Sequence, residues 1–187
     1  MNDRRPAFSI KNGSEGMIDK VTSISAVSVS TRVAVPEDLP RLIPLINAAF
    51  SIETFFEGTR TDEERLTAMM QKGAILAAED GDGQIIGCVY TEVRPTPKGI
   101  RGYIGQLAVD PALQSRGLGM RIMEAAEEHL RSQGCAAIDI LVLSLRPELP
   151  PIYRRHGYIE SGIEEFHSTR PLKPGAECHC IVMSKDL

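Results

Sequence analysis

The stretch 103–123, YIGQLAVDPALQSRGLGMRIM, constrains this chain more than any other. A strand pattern over Gly102–Val109 is broken by Asp110-Pro111, because proline fixes φ and has no N–H to give to a ladder. Gln114-Ser115-Arg116-Gly117-Leu118-Gly119 then turns into a helix over Arg116–Gln133. Its apolar stripe is Leu118, Ile122, Ala125, Ala126 and Leu130, and Gly134 ends it. The first turn of a helix carries unpaired N–H donors and the positive end of the dipole, so it attracts phosphate. Gly117 and Gly119 remove Cβ atoms where a ligand backbone comes close, and Arg116 adds a cation. The turn therefore reads as a pyrophosphate cradle. A nucleotide-hydrolase loop needs Gly-Lys-Ser/Thr, whereas Met120-Arg121 follows Gly119 here. A dinucleotide-binding turn needs a third glycine where Ile122 stands.

Around this stretch the pattern is mixed α/β without internal repeats. Thr31–Val35 reads as a strand. Pro36-Glu37-Asp38 opens a helix to about Phe50, with Leu39, Leu42, Ile43, Ile46, Ala49 and Phe50 at helical spacing and Pro44 expected to kink or loosen it. Residues 51–60, SIETFFEGTR, are a loop. Thr61-Asp62-Glu63-Glu64 reads as a capping box with Thr61 as the cap, and Gly73 as a left-handed helix end. Ala74–Glu79 and Gln84–Val93 are strands joined by a turn at Asp80-Gly81-Asp82-Gly83. Ala136–Leu143 is a strand apolar enough to be buried on both faces. A short helix over Leu149–His156 and strands over Gly157–Ser161 and Glu177–Ser184 complete the order: strand, two helices, three strands, helix, strand, helix, two strands. Residues 1–30, rich in Ser, Asn and Gly, read as a flexible leader with an alternative start near Met17, leaving 31–187 as one domain.

Composition narrows the function classes. The 187 residues carry 21 Lys+Arg against 25 Asp+Glu, a formal charge of −4, which is unlike the basic excess of nucleic-acid binders. No apolar run approaches the roughly 18 residues of a membrane span, and the N-terminal MNDRRPAFSIKNG lacks the apolar core of a secretory signal. Cys88, Cys135, Cys178 and Cys180 do not form a disulfide framework; reduced thiols and a cytoplasmic protein are expected. Cys178-His179-Cys180 lies in a strand pattern without a second ligand pair at zinc spacing, so no metal is expected. The acidity is concentrated in residues 37–92, with 4 basic against 11 acidic side chains. A cationic amine would be drawn to such a field if those charges faced a cleft.

Strand–LAVDP–turn–QSRGLG–helix resembles motif A of the GNAT superfamily of acyl-CoA-dependent N-acyltransferases, whose pattern is Gln/Arg-x-x-Gly-x-Gly/Ala. Downstream, PPIYRRHGYIESG (150–162) resembles its motif B, where a tyrosine precedes a glycine–aromatic pair. The resemblance covers about Thr31 to Ser184. It implies a single α/β domain with a mixed, mostly antiparallel sheet of six to seven strands and about four helices. It further implies that amides of Gln114, Ser115, Arg116, Gly117, Leu118 and Gly119 hold the pyrophosphate of acetyl-CoA. The strand Leu107, Ala108, Val109 would pair with the pantetheine arm, and Tyr153 would protonate the leaving thiolate. That role suits a phenol, with an ordinary pKa near 10, facing a thiol near 8.5. A homodimer is left open by the same resemblance.

Two departures stand out. Several relatives carry a general-base glutamate early in the fourth core strand, and the matching position here is Tyr103. Glu92 on the preceding strand and a water chain are the substitutes. Many relatives also carry an asparagine seven residues before the motif B tyrosine. Arg146 stands there, either as a carboxylate contact for substrate or as an exposed loop residue. The acceptor site is expected from the loops 51–60, with Phe55, Phe56 and Glu57, and 162–176, with His167 and Arg170. The two phenylalanines either line the pocket or pack beneath their loop, and His167 is either a ligand or a solvated side chain. The resulting expectation is acetyl transfer from acetyl-CoA to a primary amine, by direct attack in a ternary complex. The alternatives are a non-catalytic acyl-CoA sensor on the same fold and a protein-binding domain using the two loops.

Overall fold

The computed structural model describes residues 29–97, 99–167 and 170–187. Most of the expected leader, through residue 28, lies outside them. The strands are β1 (Ser30–Val33), β2 (Ala74–Glu79), β3 (Ile85–Thr96), β4 (Gly99–Val109), β5 (Ala137–Leu143), β6 (Ile159–Glu165) and β7 (His179–Asp186). The helices are α1 (Leu39–Ala49), α2 (Glu63–Lys72), α3 (Leu118–Ser132) and α4 (Leu149–Arg155). The strands form one sheet in the order β1-β2-β3-β4-β5-β7-β6. Neighbours are antiparallel except β4 and β5, whose parallel pairing requires a crossover that α3 supplies. This is the expected fold class and element order.

Two apolar layers enclose the sheet. Successive strand residues point to opposite faces, so Leu76 and Ala78 enter one layer while Ile75 and Ala77 enter the other. On one face Leu39, Leu42 and Ile46 of α1 and Leu66 of α2 pack on Cys88, Tyr90 and Ala108. On the opposite face Ile122, Met123, Ala126 and Leu130 of α3 pack on Val89, Ile104, Ile138 and Met183, with Leu149 and Tyr153 of α4 against the same layer. Ile122 and Leu130 are fully buried, and each such side chain contributes about 1.5–3 kcal/mol.

Several local expectations are corrected. The cap of α2 is Asp62, which accepts from the Arg65 amide at 2.9 Å. Thr61 is engaged instead by Asn47, through Thr61 N to Asn47 Oδ1 (2.9 Å) and Asn47 Nδ2 to Thr61 O (3.0 Å), which ties α2 to α1. Gly73 is extended (φ −155°), not left-handed. Its glycine answers a close approach, because a Cβ there would meet the Thr91 carbonyl at 2.2 Å. Helix α1 continues through Pro44, whose missing N–H falls on the exposed face where water can serve the freed carbonyl. Strand β5 buries Ile138, Ile140 and Val142 but leaves Asp139, Leu141 and Leu143 half-buried; Leu141 and Leu143 border a cleft, and Asp139 pairs with Arg101. The last two strands run Ile159–Glu165 and His179–Asp186, each later than its pattern suggested.

Candidate active site

The cleft begins where the sheet opens. The β4–β5 ladder stops at Ile104 opposite Ile140, although β4 continues to Val109 along β3 and β5 to Leu143 along β7. A bulge in β4 accompanies the parting. Gln106 and Leu107 together oppose Val89, and Gln106 has φ 49°, the left-handed region. Such a bulge bends its strand and increases the local twist. Between Gly105 and Val109 the edge of β4 that faces β5 has no strand partner among the described residues. A cleft of about 1000 Å³ occupies the opening. The Gln106 Nε2 donor in its wall is buried without a hydrogen-bond partner among the described residues.

The glycine turn closes one end. Asp110 accepts from the Ala112 amide at 2.9 Å, and the Gln114 side chain donates to the Val109 carbonyl at 3.1 Å, so the turn is pinned to the strand end. Ser115 (φ 63°) and Gly117 (φ 75°) are both left-handed. Backbone that changes hand over a short turn gathers N–H groups into an anion-binding concavity. A Cβ on Gly119 would meet only Val109 and Leu107 side chains, at 3.7 and 3.9 Å, which is ordinary contact. Internal packing therefore does not require glycine at 119, and the space suits a ligand. Gln114, Ser115, Gly117, Leu118, Gly119, Leu107 and Val109 all line the cleft. The Ala108 side chain turns into the α1/α2 layer, and Arg116 is exposed and outside the lining.

Tyr153, on α4, lines the cleft and packs edge-on against Tyr158 with ring centroids 5.9 Å apart. Burial raises its pKa, with Arg146 pulling the other way, so the phenol holds its proton through the neutral range. Tyr103 also lines the cleft, and burial raises its pKa. Glu92 lies elsewhere. It accepts from Arg94 at 3.0 Å and Tyr90 at 3.1 Å, and the Arg94 hydrogen bond holds its carboxyl below the usual range. It does not line the cleft.

Another part of the cleft wall is built from side chains. Phe56 is 4% exposed and packs beneath its loop, against Phe55, Phe166 and the Arg170 guanidinium. Neither Phe55 nor Phe56 reaches the lining, whereas Phe50 and Phe166 do. The loops 51–60 and 162–176 are stitched together by Glu57 N to Pro171 O and Lys173 N to Phe55 O, both 3.0 Å, and by a bridge between Phe56 and Leu172. Glu53, 3% exposed at its side chain, sits among three guanidiniums: Arg170 at 2.5 Å, Arg60 at 3.5 Å and Arg146 at 3.7 Å. All four residues line the cleft. Arg146 is therefore only 17% exposed, not a free loop arginine, and it also pairs with Glu148. His167 is exposed at the mouth, 3.9 Å from Glu165. Of the acidic residues in 37–92, only Glu53 faces the cleft, so the acidic field expected there is directed elsewhere. Glu53 and Arg60 escaped the sequence reading, because nothing local distinguishes them from solvated charges. Among the described residues no three His, Cys, Asp or Glu gather as metal ligands, and no helix is long and apolar enough to cross a membrane.

Comparison with known proteins agrees with this fold. The chain is 29% identical over 126 residues to a mycothiol acetyltransferase of Propionibacterium freudenreichii subsp. shermanii, a match covering 65% of this chain and 40% of the relative. It is 30% identical over 112 residues to glucosamine 6-phosphate N-acetyltransferase 1 of Oryza sativa subsp. japonica, covering 58% and 66%. The chain thus spans less than two thirds of the length of these relatives. The fold is shared with the ribosomal-protein-alanine N-acetyltransferase of Brucella melitensis (TM-score 0.67, 20% identity, 84% and 99% of the two chains). It is shared too with the ribosomal-protein-S18-alanine N-acetyltransferase of Escherichia coli (TM-score 0.63, 19% identity, 85% and 94%). The acetyltransferase (GNAT) family model matches residues 40–158, a span that contains the parted strands, the glycine turn and Tyr153. The chain therefore belongs to the acetyltransferase (GNAT) family.

Proposed function

We propose that the protein transfers an acetyl group from acetyl-CoA to a primary amine by direct attack in a ternary complex. The observation that carries this reading is the unpartnered edge of β4 beside a glycine turn with room for a ligand. Bound acetyl-CoA supplies an acetyl group activated as a thioester. The free edge of β4 at Leu107, Ala108 and Val109 pairs with the pantetheine amides like an added strand, and the amides of residues 114–119 hold the pyrophosphate. Strand-end N–H groups polarise the thioester carbonyl. The acceptor nitrogen forms the new C–N bond as the C–S bond breaks, and the Tyr153 hydroxyl protonates the departing sulfur. The raised pKa of Tyr153 keeps that proton available.

The amine must also lose a proton, and water in the cleft mouth takes it in this reading. Glu92 is held by Arg94 and Tyr90 away from the lining, and Glu53 is enclosed by arginines. Two further carboxylates of the lining, Glu164 and Glu165, are exposed on β6, and Tyr103 standing where relatives carry a glutamate is the one observation favouring a non-catalytic acyl-CoA sensor. A panel of primary amines with thiol-release detection decides between them. The enzyme releases thiol with at least one amine, whereas a sensor binds acetyl-CoA and releases none.

A further inference from the structure

Glu53, Arg60, Arg146 and Arg170 come from two loops and from the segment between β5 and α4, and they meet in one part of the cleft wall. A structural staple between loops needs one cation for one carboxylate, and Arg170 with Glu53, at 2.5 Å and both nearly inaccessible, is such a staple. The other two guanidiniums exceed that need. Arg146 shares Glu53 at 3.7 Å and meets Glu148. Among the described residues Arg60 has no hydrogen-bond acceptor; it stacks over Phe50 at 4.4 Å and stands 3.5 Å from Glu53. Among the charged residues that line the cleft, Arg60, Arg65, Arg146 and Arg170 stand against Glu53, Glu164 and Glu165, which leaves one excess positive charge. Burial lowers the Arg60 pKa, with the Arg170 charge adding to that and Glu53 opposing it, as befits a desolvated cation short of counter-charge.

The cluster is also close to the proposed chemistry. The Arg146 charge acts on the Tyr153 phenol, and the Arg60 charge acts on Tyr103, which stands one rung before the strands part. Resting on the acetyltransferase reading, we propose that the acceptor is a small amine bearing an oxyanion, a carboxylate or a phosphate, which Arg60 and Arg146 bind while its amine reaches the thioester. The planar fork of arginine matches either group, and the carboxylate of Glu53 already demonstrates the chemistry of the cluster.

The test uses the full chain with acetyl-CoA and matched amines: L-amino acids, their C-terminal amides, and aminoalkyl phosphates. The kcat/KM for a carboxylate or a phosphate acceptor is expected to exceed that of the neutral amide at least about tenfold, the cost of losing one charge-assisted contact. The arm with the higher value identifies the oxyanion. Arg60→Gln is expected to collapse that ratio about tenfold through KM, Arg60→Lys to collapse it less, and the remote Arg131→Gln to leave it unchanged. Equal use of acids and amides, or a ratio indifferent to Arg60→Gln and Arg146→Gln, overturns the proposal. Calorimetry of the same amines into the CoA-loaded protein reads the site without turnover. Oxyanion binding that depends on Arg60, without thiol release, sinks the transferase reading and leaves the anion site standing. Thiol release without oxyanion preference does the reverse.

Discussion

Two parts of the cleft wall are made differently. The part proposed for acetyl-CoA is backbone: the free edge of β4, a pinned turn and the first turn of α3, contiguous over residues 105–119. The part proposed for the acceptor is side chain, with Glu53 and Arg170 meeting across 117 positions of sequence. A backbone site asks only for a strand end, a breaker and glycines, so it tolerates wide sequence divergence. A side-chain site can be rewritten one residue at a time without disturbing the fold, which lets one scaffold serve many acceptors.

Glu at position 119 should break the backbone part outright. Gly119→Glu brings bulk and negative charge to the proposed phosphate position, and like charges there cost several kcal/mol. Acetyl-CoA affinity in calorimetry is expected to fall at least about 100-fold with the thermal melt preserved. Next in size, Tyr153→Phe is expected to lower kcat about 100-fold while leaving the Kd for acetyl-CoA within about twofold, because the proton is needed only as the C–S bond breaks. Unchanged turnover would remove Tyr153 from the mechanism.

A pair of alanines sharpens the contrast between a glycine that packing needs and one that a ligand needs. Gly73→Ala forces a Cβ to 2.2 Å from the Thr91 carbonyl and is expected to cost about 1–3 kcal/mol in chemical denaturation. Gly119→Ala meets only ordinary contacts inside a helix. It is expected to be neutral or to stabilise by up to about 1 kcal/mol while weakening acetyl-CoA binding. The reverse ranking in stability would contradict the assignment of the turn.

The smallest effect is electrostatic. Arg32 holds Asp38, Arg94 holds Glu92 and Arg101 holds Asp139 below the usual carboxylate range. Groups lowered in the folded state contribute stability above their unfolded pKa, near 3.9–4.3, and lose it as pH falls through the lower folded values. The melting temperature should therefore be insensitive to these pairs between about pH 5 and 7 and should decline below about pH 4. Asp38→Asn should flatten part of that decline.

The same contrast explains what was legible in the sequence. Helix α3, the Asp110-Pro111 break and the glycine turn follow from residues adjacent in the chain, and so does the element order, whereas the mostly antiparallel sheet came from the family resemblance. The bulge at Gln106 was not legible, because it arises from register against Val89 on another strand. Thr61 looked like a cap until Asn47, 14 residues away, claimed its backbone. Phe55 and Phe56 drew attention as loop aromatics, yet Phe56 serves as the floor on which Arg170 stacks. Arg60 looked like any surface cation and instead lines the cleft beside Glu53.

The most direct test of the central claim is thiol release from acetyl-CoA across a panel of primary amines, with acetyl-CoA binding measured in parallel by calorimetry. The account predicts binding that Gly119→Glu abolishes and amine-dependent thiol release that Tyr153→Phe slows. Absence of acetyl-CoA binding by the unmodified protein, or binding without release for every amine, would contradict it.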